Sequence, residues 1–164
     1  MLPIRPPRVL ILAVHHVHHN GHCLLGGAEK YIRDTVRRLL AAGARVHVAY
    51  SGDSIYDDIA REVDDPRRLI LERTNWLDAN LSGDRRLNPR LVLSRARWFR
   101  NRDPDVVFVV QQGHGTAFGA SIVGAALAGY PVVMSIRQPA WHGPPARELE
   151  TGMPGACNDS ALSP

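Results

Sequence analysis

"GGAEKYIRDTVRRLLAAGARVHVAY", Gly26 to Tyr50, carries two different periods in one stretch. From Ala28 to Leu40 the apolar residues Ala28, Ile32, Val36, Leu39 and Leu40 recur at spacings of three and four. That pattern predicts an amphipathic helix with Glu29, Lys30, Arg33, Asp34, Arg37 and Arg38 toward solvent. Glu29 with Arg33 and Asp34 with Arg38 stand four apart in the favourable orientation. Gly43 stops the helix, and "RVHVAY" (Arg45–Tyr50) follows as a strand. Immediately upstream, "RVLILAV" (Arg8–Val14) is a continuous apolar run of the kind found in strands covered on both faces. Strand, helix and strand in this order make a βαβ unit, and hence a parallel sheet.

The alternation continues downstream. "SIYDDIAREV" reads as a short helix, "RRLIL" (Arg67–Leu71) as a third strand, and "ERTNWLDANLSGDRR" as an exposed connection. A second long helix is predicted with Asn88 as its cap and Pro89 in its first turn, running to about Asn101 with Val92, Ala96 and Phe99 toward the core. "DVVFVV" (Asp105–Val110) is a strand, "QQGHGT" its exit loop, and Thr116 the cap of the small-residue helix "AFGASIVGAALAG". "PVVMSI" (Pro131–Ile136) makes a last strand. The fold class is therefore α/β: a Rossmann-like three-layer domain with a parallel β-sheet flanked by helices. In such sheets ligands bind beyond the carboxyl ends of the strands. The histidine-glycine loop, the "QQGHGT" loop and "RQPAW" all leave from that edge, so one cleft is expected there.

At 164 residues the chain has room for one domain with a substantial core, predicted over 1–141. Residues 142–164 show no apolar period and are rich in proline, which predicts an irregular tail. The net charge is +4, with Lys30 the only lysine. Arginine suits phosphate and carboxylate partners because its planar fork binds two oxygens together. Nucleic-acid binding is not expected, because no dense basic stripe or known module accompanies the arginines. Cys23 and Cys157 cannot build a disulfide framework, and a reducing, cytoplasmic compartment fits. The run "VLILAV" is far shorter than the roughly 20 residues of a membrane span. The arginines and aromatics of "RRLNPRLVLSRARWFRNR" leave peripheral contact with a membrane surface open beside the plainer reading of a solvated helix face.

Two chemistries compete in the loop after the first strand. His15, His16, His18, His19 and His22 offer imidazoles for zinc or nickel, but on a strand they would divide between two faces and no acidic residue lies among them. No designed metal site is expected, and the loop reads as the polar lining of a cleft. Gly26 and Gly27 stand where a helix begins, where free N–H groups and the helix dipole attract anions. Without Cβ atoms they let the backbone approach a diphosphate. A simple turn into the helix explains them equally well. Neither G-x-G-x-x-G nor G-x-x-x-x-G-K-[ST] occurs, so no cofactor is expected.

The stretch quoted at the outset resembles the beginning of glycosyltransferase family 4, and "PDVVFVVQQGHGTAFGASIVGAALAGYPVVMSIRQP" resembles a later part of the same domain. The resemblance covers roughly Arg8 to Pro139. It implies one half of a two-domain GT-B fold, acting on a nucleoside-diphosphate sugar and an acceptor hydroxyl with retention at the anomeric carbon. It further implies that backbone at Gly26 and Gly27 contacts the donor diphosphate, with Glu29 beginning the helix below. His114 corresponds approximately to the family's polar residue near the reacting sugar. The acceptor cleft would take in His16, His18, Asn20, Gln112 and Arg137. Arg137 stands where many relatives place a histidine.

The family's donor-binding domain carries a pair of glutamates eight apart. The five glutamates here, Glu29, Glu62, Glu72, Glu148 and Glu150, contain no such pair, and a second domain does not fit after Trp141. The expectation is an acceptor-side domain inactive by itself. The alternatives are a subunit of a split transferase working with a separate donor-binding protein, a small-molecule or metal-binding module on the same fold, and a fragment of a disrupted gene.

Overall fold

Alternate residues of the first strand face opposite layers. Val9, Ile11 and Ala13 pack into one apolar cluster, Leu10 and Leu12 into another, and each cluster is roofed by its own helices. The computed structural model describes residues 5–13, 27–52, 54–78, 88–112 and 118–137. Five strands, Arg8–Ala13 (β1), Arg45–Tyr50 (β2), Leu69–Arg73 (β3), Val106–Gln112 (β4) and Val132–Arg137 (β5), run parallel in the order β3-β2-β1-β4-β5. This is the expected α/β three-layer arrangement.

The helix α1 (Gly27–Ala41) covers one face. Ile32 and Val36 are fully buried against β1 and β2, each contributing about 1.5–3 kcal/mol of apolar burial. Gly43 ends the helix as expected. It has φ +86°, its N–H donates to Leu40 O at 3.0 Å and the next N–H donates to Leu39 O at 3.0 Å, the two bonds of a Schellman cap. The short helix α2 (Asp57–Glu62) lies beside α1. Its Asp58 accepts from Arg37 at 2.8 Å and also pairs with Arg33.

The helices α3 (Asn75–Asp78), α4 (Pro89–Arg100) and α5 (Gly119–Leu127) follow in chain order. Leu77, Phe99, Phe118 and Ala125 join the cluster on the second face. Asn88 caps α4 as predicted, its side-chain oxygen accepting from Arg90 N at 3.0 Å, and Val92, Ala96 and Phe99 are buried.

Several boundaries differ from the sequence reading. The third strand begins at Leu69 because Pro66–Arg68 form a 3₁₀ turn, capped by the Asp65 carboxylate accepting from Arg67 N. The stretch from Glu72 is not a wholly exposed connection, since it completes β3 and forms α3, with Thr74 and Leu77 buried. The polar pair Gln111 and Gln112 belongs to β4, because both pair with β5. The last helix starts at Gly119, with Phe118 at its N-cap. Thr116, Val14, both cysteines and the boundary at 141 lie outside the described residues, as does the tail 142–164. Among the described residues no helix is long and apolar enough to cross a membrane.

Candidate functional site

The strand order reverses at β1. From β1 the chain passes to α1 on one face and then to β2, whereas from β4 it passes to α5 on the opposite face and then to β5. The two connections diverge beyond the carboxyl ends of β1 and β4. This is the topological switch point at which open α/β sheets bind ligands.

Gly27 is the first residue of α1 and is exposed. A Cβ built on it meets nothing within 4 Å. The protein's own packing therefore does not demand glycine there. Two residues on, Glu29 is only 2% exposed, which corrects its expected place in solvent. The reason lies in the helical period: Glu29 stands three residues before Ile32 and seven before Val36, on the stripe that faces the sheet. A carboxylate in the first turn is favoured by the helix dipole.

The neighbouring strand ends are tied into the same edge. Ser51 N donates to Ala13 O at 3.4 Å, and Thr74 N donates to Tyr50 O at 2.8 Å. The Ser51 side chain is fully buried, and its Oγ has no hydrogen-bond partner among the described residues. A buried unsatisfied hydroxyl costs about 1–3 kcal/mol. Nothing in "AYSGD" distinguishes this serine from an ordinary turn residue.

Of the residues singled out from sequence, the structure places three at this edge. Gly27 opens α1, and Gln112 and Arg137 are Cα partners at the ends of β4 and β5. Arg137 is thus the last residue of β5 rather than the first beyond it. Gly26, His16, His18, Asn20 and His114 lie outside the described residues. Among the described residues no group of three His, Cys, Asp or Glu side chains is disposed to hold a metal ion.

A second polar group, on the face covered by α4, escaped the sequence reading. Arg102 donates through Nε to Glu72 at 2.8 Å and through Nη2 to the other oxygen of the same carboxylate. His47 Nε2 lies 2.8 Å from Glu72 Oε2. Burial pushes the His47 imidazole below its usual range, aided by the Arg102 charge and opposed by Glu72. Burial alone would raise Glu72. The paired Arg102 guanidinium and the nearby His47 outweigh it and hold the carboxyl below the usual range. Residues 47, 72 and 102 are so far apart in sequence that no local pattern connects them.

Among solved structures, two crystal structures of the C-terminal domain of a hydrogenase from Pyrococcus furiosus resemble the chain. One is 15% identical with a TM-score of 0.50 and covers 82% of this chain and 97% of that one. The other is 14% identical with a TM-score of 0.48 and covers 82% and 96%. The first shows a shared fold and says nothing of chemistry. No curated protein matches the chain. The model of Glycosyltransferase Family 4 matches residues 25–152, most of the sequence and all of it from the start of α1 to beyond β5, and the chain belongs to that family.

Proposed function

We propose that this chain is the acceptor-side domain of a glycosyltransferase that moves a sugar from a nucleoside-diphosphate sugar to an acceptor hydroxyl with retention. The observation that supports the reading is the topological switch point between β1 and β4, with the exposed Gly27 at the start of α1 beside it. In the reaction the bond from the anomeric carbon to the diphosphate oxygen breaks and its electron pair leaves with the diphosphate. A bond to the acceptor oxygen forms on the same face, and the acceptor proton is lost. Charge therefore builds on the diphosphate. Backbone N–H groups at Gly26 and Gly27 stabilise it there, in a fixed orientation that needs no reorganisation. His114 serves the reacting sugar. His16, His18, Asn20, Gln112 and Arg137 shape the acceptor pocket.

A subunit of a split transferase is the second reading, and one observation favours it. Val123 and Leu127 on α5 are 41% and 53% exposed, and Val133 and Met134 on the edge strand β5 are 49% and 39% exposed. Exposed apolar side chains on α5 and on the edge strand suit an interface with another polypeptide.

Calorimetric titration of the metal-free chain with UDP and GDP tests the proposal. Binding of one nucleotide, weakened by Gly27→Val without loss of fold, supports it. Absence of nucleotide binding together with tight, stoichiometric zinc binding that depends on His16 and His18 overturns it in favour of the metal-binding alternative.

A further inference from the structure

A cavity of about 340 Å³ opens at the amino-terminal edge of the sheet, the edge opposite the switch point. Its volume lies within the range of small-molecule sites, about 300–1,000 Å³. Four arginines border it, each from a different segment: Arg8 at the start of β1, Arg45 at the start of β2, Arg67 in the 3₁₀ turn and Arg102 after α4. His47 lines it as well. Apolar backing comes from the first turns of β1 and β2, and from Ile70, which is 50% exposed.

Charge is not balanced across this cavity. Arg8 pairs with Asp103, Arg67 with Asp65 and Arg102 with Glu72, while Arg45 makes no ion pair among the described residues. One positive charge is thus left over. The paired guanidiniums also keep donors in reserve, because a carboxylate occupies at most two of an arginine's five N–H groups. Among the described residues Arg8 Nε is buried without a hydrogen-bond partner, which leaves a charged donor unanswered beside the cavity. An anion in the cavity lowers the energy of all these groups together, and the apolar walls reward a ligand whose charged group is attached to a hydrophobic body.

We propose that this cavity is a binding site for a small amphipathic anion, a carboxylate or a phosphate monoester on an apolar body. The site is separate from the proposed sugar-transfer edge, and its occupancy does not depend on that reading of the protein. The four arginines converge only through the sheet topology, which brings the starts of β1 and β2, the turn before β3 and the segment before β4 to one edge.

The test is a two-dimensional amide NMR titration of the full chain with three probes: phenyl phosphate, benzoate and inorganic phosphate. Saturable shifts at the amides of Val9, Val46 and Ile70 are expected with phenyl phosphate or benzoate, and the stronger of the two identifies the head group. Arg45→Glu should weaken binding at least about tenfold. Ile70→Trp, which fills the mouth from an exposed position, should do the same and serves if Arg45→Glu disturbs the fold. Three results would each overturn the proposal: amides unmoved at millimolar probe, binding equally strong in both variants, or inorganic phosphate binding as tightly as phenyl phosphate.

Discussion

Arg102 grips Glu72 with both sides of its guanidinium, and that one pair fastens the end of α4 to β3. The same guanidinium lies 3.7 Å over the Trp98 ring, so its position is fixed from a second direction. The side chains are 22% and 28% exposed, which places the pair between a surface ion pair and a buried one.

Loss of this clamp should be measurable in stability. Arg102→Ala removes a bidentate partner from a half-buried carboxylate and should cost about 2 kcal/mol in urea unfolding. Arg102→Lys keeps the charge and loses the fork and the stacking, so about half of that loss is expected. Equal stability of both variants and the parent would show that solvent already screens the pair.

Acid should destabilise the protein through the same cluster. His47 has a folded pKa below its ordinary value of about 6.5, so the unfolded state takes up the proton first. Its contribution is fully present above about pH 6.5 and is lost as pH falls through the lower folded value. Glu72 is also depressed, and its contribution is lost further down, below the ordinary carboxylate range. Both act in the same direction. Thermal unfolding followed from neutral pH down through the carboxylate range to about pH 3 should show a falling Tm. His47→Gln should flatten the upper part of that slope, and Glu72→Gln the lower.

Gly124 marks the closest approach of two helices. A Cβ at that position would lie 2.7 Å from Arg95 Cβ, 3.0 Å from Val92 O and 3.1 Å from Ala96 N. Two of those three neighbours are backbone atoms of α4 and cannot rotate away. Gly124→Ala gains about 1 kcal/mol of helix propensity and pays about 1–3 kcal/mol of overpacking. A net loss of up to about 2 kcal/mol is expected in denaturant unfolding. A stabilised variant would mean that α4 and α5 separate freely.

The sequence shows the layers of this fold more clearly than its site. Apolar runs in β1, β2 and β4 and the spacing of Ile32, Val36 and Leu40 are local signals, and the structure follows them. Polar residues mislead where long-range pairing overrides local character. Gln111 and Gln112 resemble a loop, yet β5 extends the ladder through them, and Glu29 resembles a surface residue, yet it shares the buried stripe of α1. His47, Glu72 and Arg102 meet only because β2 and β3 are neighbours and α4 ends above them. A partnership between distant residues leaves no local trace. The carboxyl edge was legible as a location from the order of elements, whereas Gln112 and Arg137, expected beyond β4 and β5, are the last residues of those strands because the two strands pair that far.

Gly27 separates folding from binding. Because a Cβ there meets nothing within 4 Å, Gly27→Ala should leave stability within about 0.5 kcal/mol of the parent. The methyl group nevertheless occupies the space through which a diphosphate would reach the first turn of α1, and Gly27→Val occupies more of it. Nucleotide affinity should therefore fall in the order glycine, alanine, valine while the unfolding midpoint stays constant. Titration calorimetry and urea unfolding on the same three proteins measure both quantities. If stability falls with affinity, Gly27 is a folding residue. If neither changes, the diphosphate does not approach this helix, and the first turn of α1 is solvent-exposed helix and nothing more.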